Sequence, residues 1–229
     1  MHKHYCILLA GGTGSRCSSD LPKQFIPILG KPIILHTIGK IIDTNLIKKI
    51  IVVCNKDYME HCSSILDEWK QFIEVIEGGA NSHESLAHGI ERLHSIGVKE
   101  NELVMIHEAV RPNTSPDLIK RIISTAEKFG NAVSAISPIE SIGINSKDHS
   151  GELSLVDRQD CYLLQMPQAY KLSQIVHVLE SRETYQSISN GMLLKGQKIN
   201  LCTGDRYNIK VTFEQDLTII KSVLSGGGE

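Results

Sequence analysis

Short apolar runs alternate with stretches whose apolar positions recur every three or four residues. Tyr5 to Ala10 is a continuous apolar run and predicts a buried strand near the N-terminus. Gly30-Lys-Pro32 opens a helix, with the proline suited to its first turn and Ile34, Ile38, Ile41 and Ile42 on one face. Lys49 to Cys54, centred on Ile50-Ile-Val-Val53, predicts a second strand. A helix over 57–70 follows, carrying Met59, Cys62, Leu66 and Trp69 at helical spacing. Phe72 to Ile76 is a third strand, and Glu77-Gly-Gly79 turns the chain into a helix bearing Leu86, Ile90 and Leu93. Leu103 to Ile106 is a fourth strand. Ser115-Pro-Asp117 is a helix start, with an N-cap hydroxyl, proline in the first turn and an acid facing the helix dipole. Ala132 to Ile136 is a fifth strand.

This alternation predicts an α/β fold, a Rossmann-like, mostly parallel sheet with helices on both faces. Ligands of such sheets lie beyond the carboxyl ends of the strands. The most polar, least periodic junctions fall at three of those ends: 11–23, 77–85 and 107–114. The sequence therefore points to one site built from these three loops.

The pattern breaks at Pro138. Residues 138–157 alternate apolar and polar around Lys147-Asp-His-Ser-Gly151 and predict an inserted β-hairpin arm. Such an arm buries little by itself, which suits support from a partner subunit. After Gln165-Met-Pro-Gln168, a helix is expected over 172–180, a loop over 191–196 and a strand over 199–202. Thr212-Phe-Glu-Gln215 predicts a capping box opening a last helix, with Phe213, Leu217, Ile220 and Leu224 on one face. Residues 1–224 read as a single domain and 225–229 as a flexible tail.

Composition narrows the function. Hydrophobic residues make up 41% of the 229 and charged ones 22%, as in an ordinary globular chain. A net charge of −2 gives no basic field for nucleic acid, so any phosphate-binding charge must be local. No run approaches the roughly 18 apolar residues of a membrane span, and none of signal-peptide length precedes Gly11. The cysteines (Cys6, Cys17, Cys54, Cys62, Cys161 and Cys202) show no C-x-x-C spacing and read as reduced thiols of a cytoplasmic protein.

That local charge follows the first strand. Gly11, Gly12 and Gly14 open a loop whose backbone amides can turn inward as an anion nest. Arg16 and Lys23 stand at its rim. The loop lacks the third glycine of a dinucleotide fingerprint and the G-K-[ST] of a P-loop. His107-Glu-Ala-Val-Arg111 lacks the second histidine of a zinc H-E-x-x-H motif. Glu108, at a strand end, is instead a candidate ligand for Mg²⁺ or another divalent cation.

Six motifs occur in a telling order: Gly11 to Arg16, Pro22-Lys-Gln-Phe25, Gly78-Gly79 with Ser85, His107 to Pro112, Met166-Pro-Gln168 and Asn208-Ile-Lys-Val-Thr212. Together they resemble the polyol-phosphate cytidylyltransferases of the methylerythritol-phosphate and ribitol-phosphate type. The resemblance implies a GT-A-like nucleotidyltransferase fold. It also implies transfer of a cytidylyl group from CTP to a polyol phosphate with release of pyrophosphate. Arg16 and Lys23 match the family's transition-state cations. Leu9, Ala10, Gly11, Gly12, Gly14, Gly79, Ser85 and Glu108 fall on the nucleotide side. Ser141, Arg158 and Lys210 fall on the acceptor side, with Arg158 reaching the neighbouring subunit of a homodimer formed through the arm. Arg111 is open between a substrate contact and an ion-pair partner. The chain departs from the family at Ser82 (usually Arg), Glu108 (Asp), Glu140-Ser141 (Asp-Thr) and Met166 (Thr). Leu9-Ala-Gly-Gly12, Gly30-Lys-Pro-Ile33, Val110-Arg-Pro112 and Gly204-Asp205 favour the ribitol-phosphate branch, hence D-ribitol 5-phosphate as acceptor and a role in cell-envelope or capsule synthesis. The alternatives are 2-C-methyl-D-erythritol 4-phosphate, an isoprenoid step, and a catalytically silent CTP-binding regulatory or assembly module.

Overall fold

A computed structural model describes residues 4–12, 21–145, 151–180 and 185–226. Gly14, Arg16, Cys17, most of the predicted arm turn and the last three residues lie outside them. In chain order the elements are β1 (His4–Ala10), β2 (Pro27–Ile28), β3 (Lys31–Pro32), α1 (Ile33–Ile42), β4 (Ile47–Cys54), α2 (Met59–Ile65) and β5 (Ile73–Glu77). Then come α3 (Ser82–Ser95), β6 (Leu103–Glu108), α4 (Pro116–Phe129), β7 (Asn131–Ile136), β8 (Ile142–Asn145) and β9 (Leu153–Val156). The chain closes with β10 (Leu163–Lys171), α5 (Leu172–Leu179), α6 (Ile188–Leu194), β11 (Leu201–Thr203) and α7 (Glu214–Leu224).

Seven strands form one sheet in the order β11-β7-β10-β6-β1-β4-β5. All run parallel except β10, which is antiparallel to both neighbours. One face buries Ile34, Ile38 and Ile41 of α1, Cys62 of α2 and the apolar stripe of α4. The other buries Leu86, Ile90 and Leu93 of α3 with Ile175, Val178, Ile188 and Met192 of α5 and α6. The chain leaves β1 for β4 on one side and returns through α3 to β6 on the other. The crevice at the end of β1 is therefore the topological switch point where α/β sheets bind ligands.

Several expectations need correction. β10 was not foreseen: no element was assigned to Gln165-Met-Pro-Gln168, where polar residues and a proline interrupt the apolar pattern. Its irregular register against β7 is held by Ser134 Oγ, within 2.9 Å of the carbonyls of both Gln165 and Pro167. The predicted loop 191–196 lies largely within α6. The predicted helix 57–70 is α2 flanked by 3₁₀ turns. Gly30 and Lys31 precede the first helix as a β2–β3 hairpin, whose turn residues Leu29 and Gly30 have φ of 50° and 76°. Asp216, not Gln215, caps α7: its Oδ2 accepts from the backbone N–H of Thr212 (2.7 Å) and Phe213 (2.8 Å). Ser115 caps α4 as expected, accepting from the Leu118 N–H at 3.2 Å. The arm is an antiparallel β8–β9 pair, apart from the main sheet.

Candidate active site

The three polar junctions do converge. Leu9, Ala10, Gly11 and Gly12 after β1, Gly79 to Ser82 with Ser85 after β5, and Glu108 and Val110 after β6 wall one cavity of about 400 Å³. Lys23, Gln24, Lys210 and Val211 complete its described wall.

Backbone ties hold its edges together. The Ala109 N–H donates to the Leu9 carbonyl (3.0 Å), and the Gly78 N–H to the Cys54 carbonyl (2.7 Å). Buried Gln24 donates from Nε2 to the Ala10 carbonyl at 2.6 Å, pinning the far end of the glycine loop to its start. Asn81 caps α3 by accepting from the Glu84 N–H at 2.9 Å, so the positive end of that helix faces the cavity. The Gly79 N–H donates to Ser85 Oγ at 3.1 Å. A Cβ at Gly79 would overlap the Cβ of Glu84, which explains why glycine stands there.

Glu108 is the electrostatic centre. Its Oε2 accepts from Arg111 Nε at 2.6 Å and its Oε1 from Lys210 Nζ at 2.5 Å. Burial pushes its carboxyl up, but the two cations outweigh burial and hold it below the ordinary carboxylate range. It is therefore ionised at neutral pH. Arg111 also donates from Nη1 to the Asn208 carbonyl at 2.8 Å. Lys23 donates from Nζ to the Thr212 carbonyl at 2.9 Å, and the Val211 N–H donates to the Val110 carbonyl at 2.9 Å. Residues 208–212 thus form a strap laid across the cavity mouth.

Among the described residues, Arg111, Ser141 and Arg158 are not part of the cavity wall. Ser141 and Arg158 stand exposed at the base of the arm, where Arg158 donates from Nη1 to the Ile139 carbonyl at 2.6 Å. Gly14 and Arg16 lie outside the described residues. Sequence reading missed the roles of Gln24, Thr114 and Asn208. Gln24 and Asn208 sit inside quoted motifs, but nothing in a sequence marks a polar residue as buried.

A mostly parallel sheet carrying a glycine-lined, cation-rimmed cleft at this switch point is a nucleotidyltransferase-like α/β fold with a crevice suited to phosphates. Solved structures share the fold. The 4-diphosphocytidyl-2C-methyl-D-erythritol synthase of Anaerococcus prevotii DSM 20548 is 21% identical, with a TM-score of 0.83 over 98% of this chain and 99% of its own. The 2-C-methyl-D-erythritol 4-phosphate cytidylyltransferase of Francisella tularensis is 23% identical, with a TM-score of 0.77 over 95% and 98% of the two chains. The bifunctional IspDF of Campylobacter jejuni is 24% identical, with a TM-score of 0.77 over 94% of this chain and 53% of its own. A family model, that of 2-C-methyl-D-erythritol 4-phosphate cytidylyltransferase, matches residues 5–226. The chain belongs to this family and is a CTP-dependent cytidylyltransferase.

Proposed function

We propose that the protein transfers the cytidylyl group of CTP to 2-C-methyl-D-erythritol 4-phosphate, giving 4-diphosphocytidyl-2-C-methyl-D-erythritol and pyrophosphate. The observation that carries this reading is the family match over residues 5–226. It weighs the whole chain, whereas the preference for ribitol 5-phosphate rested on a few short motif variants. The match thus backs the methylerythritol alternative over that first reading.

The chemistry suits the residues. The nucleophile is an acceptor phosphate oxygen, already ionised at neutral pH, so no base is needed. It forms a bond to the α-phosphorus of CTP as the bond to the bridging α–β oxygen breaks and pyrophosphate leaves. Positioning and charge neutralisation remain. We assign Lys23 and Arg16 to the developing charge on the triphosphate. Leu9 to Gly12, Gly14, Gly79 and Ser85 hold the nucleotide. Lys210 takes the acceptor phosphate, with Ser141 on the acceptor side and Arg158 reaching across from a partner subunit. The geometry supports Arg111 as the ion-pair partner of Glu108. The exposed Ile144, Leu153 and Leu155 of the arm support a homodimer. The free thiols of the described cysteines support a cytoplasmic location.

Among the described residues no group of three or more His, Cys, Asp or Glu could hold a metal ion. One ionised carboxylate, Glu108, stands on the cavity wall. That fits Mg²⁺, which takes most of its ligands from substrate phosphates and water. Glu108 would be the protein ligand of such an ion, which would supply neutralisation of phosphate charge.

The test is pyrophosphate release from CTP and Mg²⁺ with 2-C-methyl-D-erythritol 4-phosphate and ribitol 5-phosphate in parallel. The expected result is a kcat/KM at least about a hundredfold higher for the methylerythritol acceptor, the scale set by a mismatched polar contact. Preference for ribitol 5-phosphate would overturn the assignment.

A further inference from the structure

We propose that Asn208 is a positioning residue for cytidylyl transfer, fixing Lys210 and Glu108 without touching substrate. Asn208 is 1% exposed. All its polar groups are engaged, on four different residues. Oδ1 accepts from Thr114 Oγ1 (2.7 Å), and Nδ2 donates to the Met166 carbonyl (2.5 Å). Its carbonyl accepts from Arg111 Nη1 (2.8 Å), and its N–H donates to the Asp205 carbonyl (3.1 Å).

Proton bookkeeping extends the network. The Thr114 hydroxyl has one proton. Two acceptors lie within its reach, Asn208 Oδ1 at 2.7 Å and the Arg111 carbonyl at 3.1 Å; with the proton on the nearer, Asn208, the hydroxyl must accept from His107 Nε2–H, 3.0 Å away. This fixes the imidazole tautomer and leaves Nδ1 without a proton. Nδ1 is the one buried side-chain polar atom without a partner among the described residues, so no donor is stranded there. The bonds then close a circuit: His107 to Thr114, Thr114 to Asn208, Asn208 to Arg111, Arg111 to Glu108. His107 and Glu108 are neighbours on β6, so the circuit begins and ends on the strand that carries the site carboxylate.

Asn208 also sets the strap. Lys210 lies two residues on and pairs with the other oxygen of Glu108. The circuit therefore determines where both groups stand. Asparagine suits the position because a short side chain must accept on one side and donate on the other. Aspartate would set an oxygen against the Met166 carbonyl, and leucine would leave two buried groups unpaired. None of these bonds reaches the Gly79–Ser85 edge, so the acceptor side should suffer most when the circuit is cut.

This inference rests on the assignment of Lys210 to the acceptor phosphate. The test uses Thr114→Val and Thr114→Ser, with Asn208→Ala alongside. Thr114→Val should lower kcat/KM for the acceptor by about ten- to a hundredfold, as a small misplacement of site groups does. The CTP dissociation constant should stay within about twofold, and Thr114→Ser, which keeps the hydroxyl, should restore wild-type values. The acceptor used is whichever polyol phosphate the wild-type enzyme turns over, so a wrong acceptor shows in the wild type and a wrong role for Asn208 only in the variants. Amide hydrogen exchange across 208–212 needs no substrate. It should be at least about tenfold faster in Thr114→Val and normal in Thr114→Ser. Unchanged acceptor kinetics and exchange in folded Thr114→Val, or equal losses for CTP and acceptor, would overturn the proposal.

Discussion

His107 should make the ligand-free enzyme lose stability in mild acid. Its ring is fully buried between the sheet and α4. Burial, reinforced by the Arg111 cation, lowers its pKa from 6.5 to about 3, with Glu108 opposing the shift. The folded value lies below the unfolded one, so between these two pH values the unfolded chain binds the extra proton. Stability therefore falls as pH drops below about 6.5, and the loss ends only near the folded pKa. At pH 7 about a quarter of the unfolded imidazoles are protonated, and at pH 5 nearly all. Integrating over that interval gives a loss of about 2 kcal/mol from this one residue. For a chain of this size that is about 4–8 °C in Tm. Glu108, held below its ordinary 4.5, keeps its stabilising contribution above that pH and loses it only in stronger acid, so the interval isolates the histidine. The assay is urea unfolding at pH 7, 6 and 5, with His107→Gln as reference. The glutamine amide can still donate to Thr114 but does not titrate, and subtraction cancels the other ionisable groups. The wild type should lose about 2 kcal/mol more than the variant between pH 7 and 5. A difference below about 0.5 kcal/mol would refute the buried, neutral imidazole, and with it the proton placement around Thr114.

Two further outcomes follow from the site and the fold. Lys23→Ala should lower kcat by about 10²–10³, as loss of one pre-placed electrostatic group does; near-normal turnover would remove Lys23 from its assigned role. Leu29→Asn should stabilise the protein by about 1 kcal/mol, because leucine at a φ of 50° in the β2–β3 turn carries a left-handed penalty that Asn-Gly turns avoid. A rise of about 2–4 °C in Tm by calorimetry is expected, and a fall would show that the Leu29 side chain matters more than its backbone.

The parallel strands and the three converging loops were legible because they depend on periodicity and on polar breaks between apolar runs. Two elements were hidden by the same reasoning. β10 carries Gln165, Pro167 and Gln168, which argue for a loop; the strand survives because the Ser134 hydroxyl lies against the carbonyls freed where the ladder slips. α6 carries Gly191, which argues for a break. There the glycine is a packing residue: a Cβ would come within 2.5 Å of Val178 and 2.9 Å of Tyr185, so only glycine lets α6 approach α5. In the site, Lys23, Glu108 and Lys210 were legible as charges in motifs. The bonds of Thr114 and Asn208 were not, since they join residues 94 positions apart and depend on burial that no local pattern encodes.

Exposure decides which site contact can give way to substrate. Lys210 has a side chain 46% exposed, and its pair with Glu108 is worth about 1 kcal/mol or less after screening. Arg111 is 11% exposed and Glu108 17%, so parting them strands buried charge at a cost of about 3–5 kcal/mol. On the proposed assignment, Lys210 is therefore the exchangeable partner, able to leave Glu108 for an acceptor phosphate, while Arg111 stays and keeps the carboxylate in place. On the same assignment a triphosphate would attract Lys23 far more strongly than the neutral Thr212 carbonyl to which it donates. A chain of net charge −2 can in this way keep Lys210 at the site, resting on an oxygen of its own protein, and yield it to phosphate at small cost. The extra methylene of Glu108, relative to the aspartate usual in the family, fits this arrangement, since its carboxylate bridges Arg111, which stands off the cavity wall, and Lys210, which lines it.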